Sequence, residues 1–443
     1  MNTLNQKAKP NKLWAKNSTQ SSGLEIIEKF TVGKDPEFDL QLAKYDIIGT
    51  KAHVKMLYTI GYLSAEELSD ILAHLEVLQN LAQSGNFKIK SGVEDVHSQI
   101  ELSICQAVGI AGEKIHTGRS RNDQVLLAIK LFLRDEVLEI AAATKSLFDT
   151  LIFLAGKYQK ELMPGYTHFQ IGMPSSFGLW LSAFAESFSE DLEILAAAYS
   201  IVSKNPLGSG AGYGSSFPLD RDFTTKELGL EKMNVNSIYA QMTRTKAEKT
   251  LAFAMASLCA TLGKLANDLC LFCNQNFGFV EFPDDLTTGS SIMPHKKNPD
   301  VFELIRAKCS RIQALPTELS FLSHNLMTGY NRDYQLTKEI LFPSISDLKD
   351  SLRIMEFMLG YMEVKKDLLD EKKYEYLFSV EKINELVLKG DSFRQAYRKV
   401  GSSIENGTYH YEKKSLSHTH VGSIGNLSLE RIVQDFNDVY KNF

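Results

Sequence analysis

Proline is missing from two long stretches of the chain: none falls between Pro36 and Pro164, and none between Pro218 and Pro283. Nothing in either gap forces the backbone out of helix, so long uninterrupted helices are permitted there. Cysteine is scarce as well. Five in 443 residues, an odd number, exclude a disulfide framework and suit a reducing compartment. Cys270 and Cys273 form a C-x-x-C, but no second pair of cysteines or histidines stands nearby, and they read as packing within an apolar helical run rather than as a zinc site. No apolar run is long enough to span a bilayer. The stretch from Met1 to Ser22 is polar and lacks the apolar centre of a secretory signal. Positive charge is not in excess: the net charge of −5 leaves no overall basic field to hold nucleic acid or anionic lipid. A cytoplasmic protein with neither nucleic acid nor membrane as partner is the expectation.

What is present is helical periodicity. Leu251, Met255, Leu258, Leu262, Leu265, Leu269 and Phe272 step by four and three, which puts seven apolar side chains on one stripe. Phe177, Leu181, Phe184, Phe188, Leu192 and Leu195 form a second stripe. Leu126, Ile129, Leu133, Val137 and Ile140 begin a third, which Leu147, Leu151 and Leu154 extend. Long helices with one apolar stripe bury it against similar helices, so the fold class predicted is mainly α, a long-helix bundle. Small residues at Ala252, Ala254, Ala256 and Ala260 suit close neighbours on a second face. Alternating strand patterns are scarce. The tail beyond Lys365 returns to short amphipathic helices, with an irregular stretch from Glu405 to Gly422. The division expected is a mostly helical N-terminal domain over 1–114, a central long-helix domain over 115–362 and a small helical C-terminal domain over 363–443.

Polar segments interrupt this pattern. His116 to Val125 brings Arg119, Ser120, Arg121, Asn122 and Asp123 to the start of the third stripe, where arginines and helix N–H groups suit carboxylates; a solvated cap with Asp123 paired to arginine is the plain alternative. Pro164 to Gln170 carries Thr167 and His168, a general acid or base, or else a structural histidine at a helix entrance. Thr288 to Pro299 is a loop with Gly289, Ser290 and Ser291, followed by Lys296, Lys297 and Asn298. Gly208 to Gly214 fits neither G-x-G-x-x-G nor a P-loop and reads as a packing or substrate-adjacent loop. His418 and His420 have no third ligand in the sequence and read as surface structure.

The segment from Thr288 to Pro299 resembles the signature of the fumarase/aspartase superfamily, lyases that release fumarate. The double lysine before Asn298-Pro299-Asp300, the run Arg119 to Val125, the histidine segment Pro164 to Gln170 and the stretch Tyr330 to Lys338 together resemble the argininosuccinate lyase family. The resemblance runs from about Leu13 to about Asn426. Four positions depart from the family pattern. Gly33, in Phe30 to Gly33, stands where a substrate-contacting serine is usual. His295 and Met173 replace glutamines, and Thr245 replaces an aspartate.

The resemblance implies a fold of the fumarase/aspartase type, with central helices bundling across a homotetramer and each site drawing on three subunits. It implies cofactor-free, metal-free β-elimination of argininosuccinate to arginine and fumarate. Ser290 would be the base on a loop that closes over the substrate, helped by Lys296. His168 would be the acid or its relay, with Glu303 paired to it. The direction of the two proton transfers has been assigned both ways in the superfamily, so Ser290 and His168 remain open as base and acid. Ser120, Arg121, Asn122, Thr167, Asn298, Tyr330, Gln335 and Lys338 would hold the substrate. Removing a proton beside a carboxylate makes a doubly negative species, which needs cations and N–H donors in place beforehand. The rival readings are another fumarate-releasing enzyme, chiefly adenylosuccinate lyase, which the run from Ser120 to Val125 disfavours, and a non-catalytic structural relative.

Overall fold

A computed structural model of the chain describes residues 22–90, 92–411, 416 and 418–443. The polar stretch before Ser22 therefore lies outside the described residues.

In chain order the helices are α1 (Ser22–Val32), α2 (Asp35–Thr59), α3 (Ala65–Gln83), α4 (Val96–Val108), a single turn α5 (Ile110–Glu113) and the 37-residue α6 (Arg121–Lys157). A hairpin of β1 (Leu162–Thr167) and β2 (Gln170–Ser176) leads into α7 (Phe177–Val202). Then come α8 (Arg221–Glu227), α9 (Ser237–Met242), α10 (Lys246–Phe272), α11 (Asp300–Ile312), α12 (Leu315–Leu322) and α13 (Thr337–Gly360). The tail forms α14 (Ser379–Leu388), α15 (Phe393–Glu405) and α16 (Leu429–Tyr440). The described residues between Asn406 and Ser428 hold no helix, as their composition predicts. No described helix is long and apolar enough to cross a membrane.

The helices follow from local signals. Ser64 and Glu67 close a reciprocal capping box at α3, and Ser392 and Gln395 do so at α15. Asp95 caps α4 by accepting the Ser98 N–H at 2.7 Å. The predicted stripes are buried: Leu251, Met255, Leu258, Leu262, Leu265 and Leu269 are wholly inaccessible, and Leu126, Ile129, Leu133, Val137 and Ile140 nearly so. Each such side chain contributes roughly 1.5–3 kcal/mol by leaving water.

The chain packs as two compact units. The first comprises Met1–Glu139, Ala197–Met255 and Ala314–Ser346; the second comprises Ile140–Ala196, Ala256–Gln313 and Asp347–Phe443. In the first, α2, α3 and α4 enclose Ile47, Val54, Leu57, Ile71, Leu75, Ile100 and Ile104. In the second, polar bonds tie α7 to α10: Trp180 Nε1 donates to Asp268 at 3.1 Å, and the Thr261 hydroxyl donates to Asp191 at 2.6 Å.

Among the strand pairs of the described residues, the β1–β2 hairpin is the longest, and the helical reading lacks it. Pro164 faces Pro174 across it, and the register slips between Pro164 and Tyr166. A two-stranded ribbon has only edges, so prolines that would break a larger sheet are tolerated.

Candidate active site

In the first unit, α6 begins at the Ser120–Arg121–Asn122 run, and buried Asp123 organises it. One Asp123 oxygen accepts the Ser120 N–H at 2.9 Å; the other accepts the N–H groups of Gly208 at 2.9 Å and Gly210 at 2.8 Å. Asp123 thus caps the helix and pins the Gly-rich loop, in place of the arginine pairing considered from sequence. Burial pushes its carboxyl up, against those three donors. Arg121 pairs with Asp95 at 3.1 Å, and the buried Arg119 donates to the Thr50 hydroxyl at 2.9 Å. Beneath them Asp46 takes a hydrogen bond from Gln124 at 2.8 Å and faces His97 at 2.9 Å, both acid and imidazole being buried. Burial alone would raise the Asp46 carboxyl, but His97 and then Arg119 hold it below the usual range.

The stretch from Tyr330 to Lys338 is anchored in the same unit. Buried Arg244 donates to the Tyr334 carbonyl at 3.1 Å and lies 5.5 Å from that ring and 6.0 Å from the Tyr330 ring. Thr245, the residue that departs from the family pattern, sits at φ 62°, a costly conformation for a β-branched residue, just before α10. Gln335 donates to the carbonyls of Thr31 at 3.0 Å and Val32 at 3.2 Å, so the backbone beside Gly33 is already engaged. Lys338 is buried between two acids, Asp35 at 2.5 Å and Asp39 at 2.6 Å. Tyr330 remains 39% exposed.

The second unit carries the residues expected to react. His168 and Phe169 form the two-residue turn of the hairpin, with φ of 54° and 58°. A turn of this hand usually takes asparagine or glycine. Two bulky residues there hold backbone strain and present the imidazole to solvent, which is where functional groups concentrate. Gly165 at the bulge is required by crowding, since a methyl group on it would stand 2.9 Å from the Met173 carbonyl oxygen.

The loop of Ser290 is closed at its base by paired backbone bonds between Thr288 and Asn298, at 3.3 and 2.8 Å. The Ser290 Oγ accepts the N–H groups of Met293 at 3.1 Å and Ile292 at 3.3 Å. Those donors favour negative charge on that oxygen. The two adjacent lysines differ: Lys297 is ion-paired with Asp284, whereas Lys296 is exposed and makes no ion pair among the described residues. Ile292, 83% exposed, and Met293 give the loop an apolar tip. Glu303, in the first turn of α11, faces Arg306 at 4.0 Å. Among the described residues of one chain, no hydrogen bond or ion pair joins Ser290, His168 and Glu303. Thr167 ends β1 beside His168, and the Asn298 amide donates to the Thr288 hydroxyl at 3.4 Å.

Sequence reasoning missed Asp95, Asp46, His97 and Arg244. The one signal for the first was Glu94-Asp95-Val96-His97, an acidic start to a helix; the others show themselves only by burial. No group of three or more acids, histidines or cysteines suited to a metal occurs among the described residues. Cys270 and Cys273 are half-buried free thiols, the second pushed up to about 12 by burial, and His418 bonds to Glu381 at 3.1 Å.

A family model described as a lyase matches residues 25–314. In fold the chain is similar to EDDS lyase in complex with formate, with 22% identity and a TM-score of 0.74 over 96% of this chain and 91% of that one. It is also similar to class II fumarase from Schistosoma mansoni, with 17% identity and a TM-score of 0.70 over 84% and 88%. The fold is therefore that of the fumarase/aspartase lyases. In sequence the chain is 52% identical to the argininosuccinate lyase of Parabacteroides distasonis, over 98% of this chain and 96% of that one. The chain belongs to the argininosuccinate lyase family.

Proposed function

We propose that the chain cleaves argininosuccinate reversibly into arginine and fumarate by β-elimination, in the biosynthetic formation of arginine in the cytoplasm. Near-full-length kinship with argininosuccinate lyases carries the choice of substrate. In this reading Ser290 and His168 act on opposite faces of the substrate as base and acid, since anti elimination needs a group on each side. The two N–H groups at Ser290 Oγ and the exposed ammonium of Lys296, which makes no ion pair among the described residues, support a serine that gives up its proton. Asn298 and the loop N–H groups receive the carboxylate on which charge develops, while Ser120, Arg121, Asn122, Thr167, Tyr330, Gln335 and Lys338 hold the rest of the ligand. Glu303 raises the basicity of His168 in a homotetramer whose sites are shared between subunits. The Ser290 loop closes with its apolar tip, Ile292 and Met293, turned inward to exclude water.

The test is an assay of the purified protein with argininosuccinate, adenylosuccinate and malate as parallel substrates, following fumarate by its ultraviolet absorbance. Fumarate with equimolar arginine from argininosuccinate alone is expected. Fumarate from adenylosuccinate instead, or from none of the three, sinks the reading.

A further inference from the structure

The stretch from Gly208 to Gly214 supplies no reacting group, yet it is built into the binding region of the first unit. Asp123 holds its N–H groups at Gly208 and Gly210, the Asn122 amide donates to the Ala211 carbonyl at 3.5 Å, and Gln241 donates to the Ser209 hydroxyl at 3.3 Å. Gly208, Gly210, Gly212 and Gly214 all lie at positive φ, between 61° and 118°, a path that residues with side chains rarely follow. The path leaves Tyr213 69% exposed. It also sets the Tyr213 hydroxyl beside Gly329, where a methyl group would stand 3.4 Å from the phenol oxygen. Tyr213 therefore stands next to the Gly329–Tyr330 step, on a loop bonded to Asn122.

The cations of this neighbourhood are engaged. Arg121 pairs with Asp95, Arg244 with Glu248 at 3.5 Å, Arg332 with Glu94 at 3.5 Å, and Lys338 with Asp35 and Asp39. Beside its polar groups the surface offers a ligand two exposed rings, Tyr213 and Tyr330. Ring faces attract cations, and a guanidinium, planar and weakly hydrated, stacks on them best.

We propose that Tyr213 is a further substrate-contacting residue, its ring face receiving the guanidinium end of the ligand. This rests on the reading that the substrate carries an arginine moiety. The experiment measures binding of free arginine to the full-length protein by calorimetry, beside inhibition by fumarate. Tyr213→Ala weakens arginine binding by about tenfold and raises KM by more than it lowers kcat. Fumarate inhibition stays as in the parent. Tyr213→Phe, which keeps the ring, binds arginine within about threefold of the parent. Circular dichroism and gel filtration establish that both variants are folded and assembled. Unchanged arginine binding in Tyr213→Ala overturns the proposal, and so does an equal loss in the two variants, which moves recognition from the ring to the hydroxyl. A parent that binds arginine but does not cleave argininosuccinate defeats the proposed function. A parent that cleaves it, with Tyr213→Ala binding arginine normally, defeats this inference alone.

Discussion

The residues expected to hold the substrate and those expected to react are supported in opposite ways. Around Ser120, Asn122 and Tyr330 the surface lies on buried charge: Asp123 with three N–H donors, Asp46 against His97, Arg244 on the Tyr334 carbonyl, Lys338 between two aspartates. Around Ser290 and His168 the described residues bury no comparable cluster of charge. One lies on an exposed loop closed at its base, the other on a strained turn, and Lys296 and Glu303 are exposed. Binding groups gain from being fixed before the ligand arrives, because less ordering remains to oppose affinity. A serine base gains from the reverse, since its alkoxide is accessible only after closure removes water.

Breaking the exposed side should abolish turnover and spare the fold. Ser290→Ala is expected to lower kcat by about a thousandfold or more, while the melting temperature and the oligomer remain those of the parent. Steady-state rates and calorimetry check this, and near-parent activity removes Ser290 from the chemistry. His168→Asn should slow turnover in the same manner.

Breaking the buried side should do the opposite. Asp123→Ala strands the Ser120, Gly208 and Gly210 N–H groups, at a cost of about 3 kcal/mol in urea unfolding. It also raises KM through the loosened loop. Stability within about 0.5 kcal/mol of the parent would mean that the loop does not depend on this carboxylate.

Lys130 sharpens the contrast by pH. It is buried, bonded to Asn234 at 2.6 Å, and burial brings its ammonium down to about 7. Between pH 7 and the ordinary lysine value of 10.5 the unfolded chain binds the proton more than the folded one, so the parent gains stability as pH rises. Lys130→Met lacks that gain. The stability difference should therefore move toward the parent by up to about 1.4 kcal/mol per pH unit between pH 7 and 9, read by melting at each pH. A difference flat with pH would mean that the amine stays charged in the fold.

The smallest effect belongs to the paired lysine. Lys297→Met breaks an exposed, solvent-screened ion pair and should leave the urea midpoint unchanged, with kcat/KM within about threefold. Lys296→Met is expected to cost about a hundredfold. Equal losses in the two would erase the distinction between neighbours.

Helix positions were legible because burial on a helix repeats every 3.6 residues, and the stripes on α6, α7 and α10 sit where the pattern set them. The β1–β2 hairpin was not legible. Its strands carry prolines, a bulge and a turn of two bulky residues instead of alternation and Asn-Gly, so the usual local signals are absent. Of the candidate site, the four segments could be named as expectations, but not the burial of Lys338 or the anchoring of Gln335 on Thr31 and Val32, residues some three hundred positions away.

The sequence alone determined the helical class and which segments bear reactive groups, because periodicity and residue chemistry are local properties of the chain. Tertiary structure decided which of two adjacent lysines pairs with Asp284, which carboxylate caps α6 and pins a glycine loop, and that Tyr213 is left facing solvent. These depend on what distant residues bring within about 3 Å of a charge or a donor, and no reading of neighbours in sequence contains that distance.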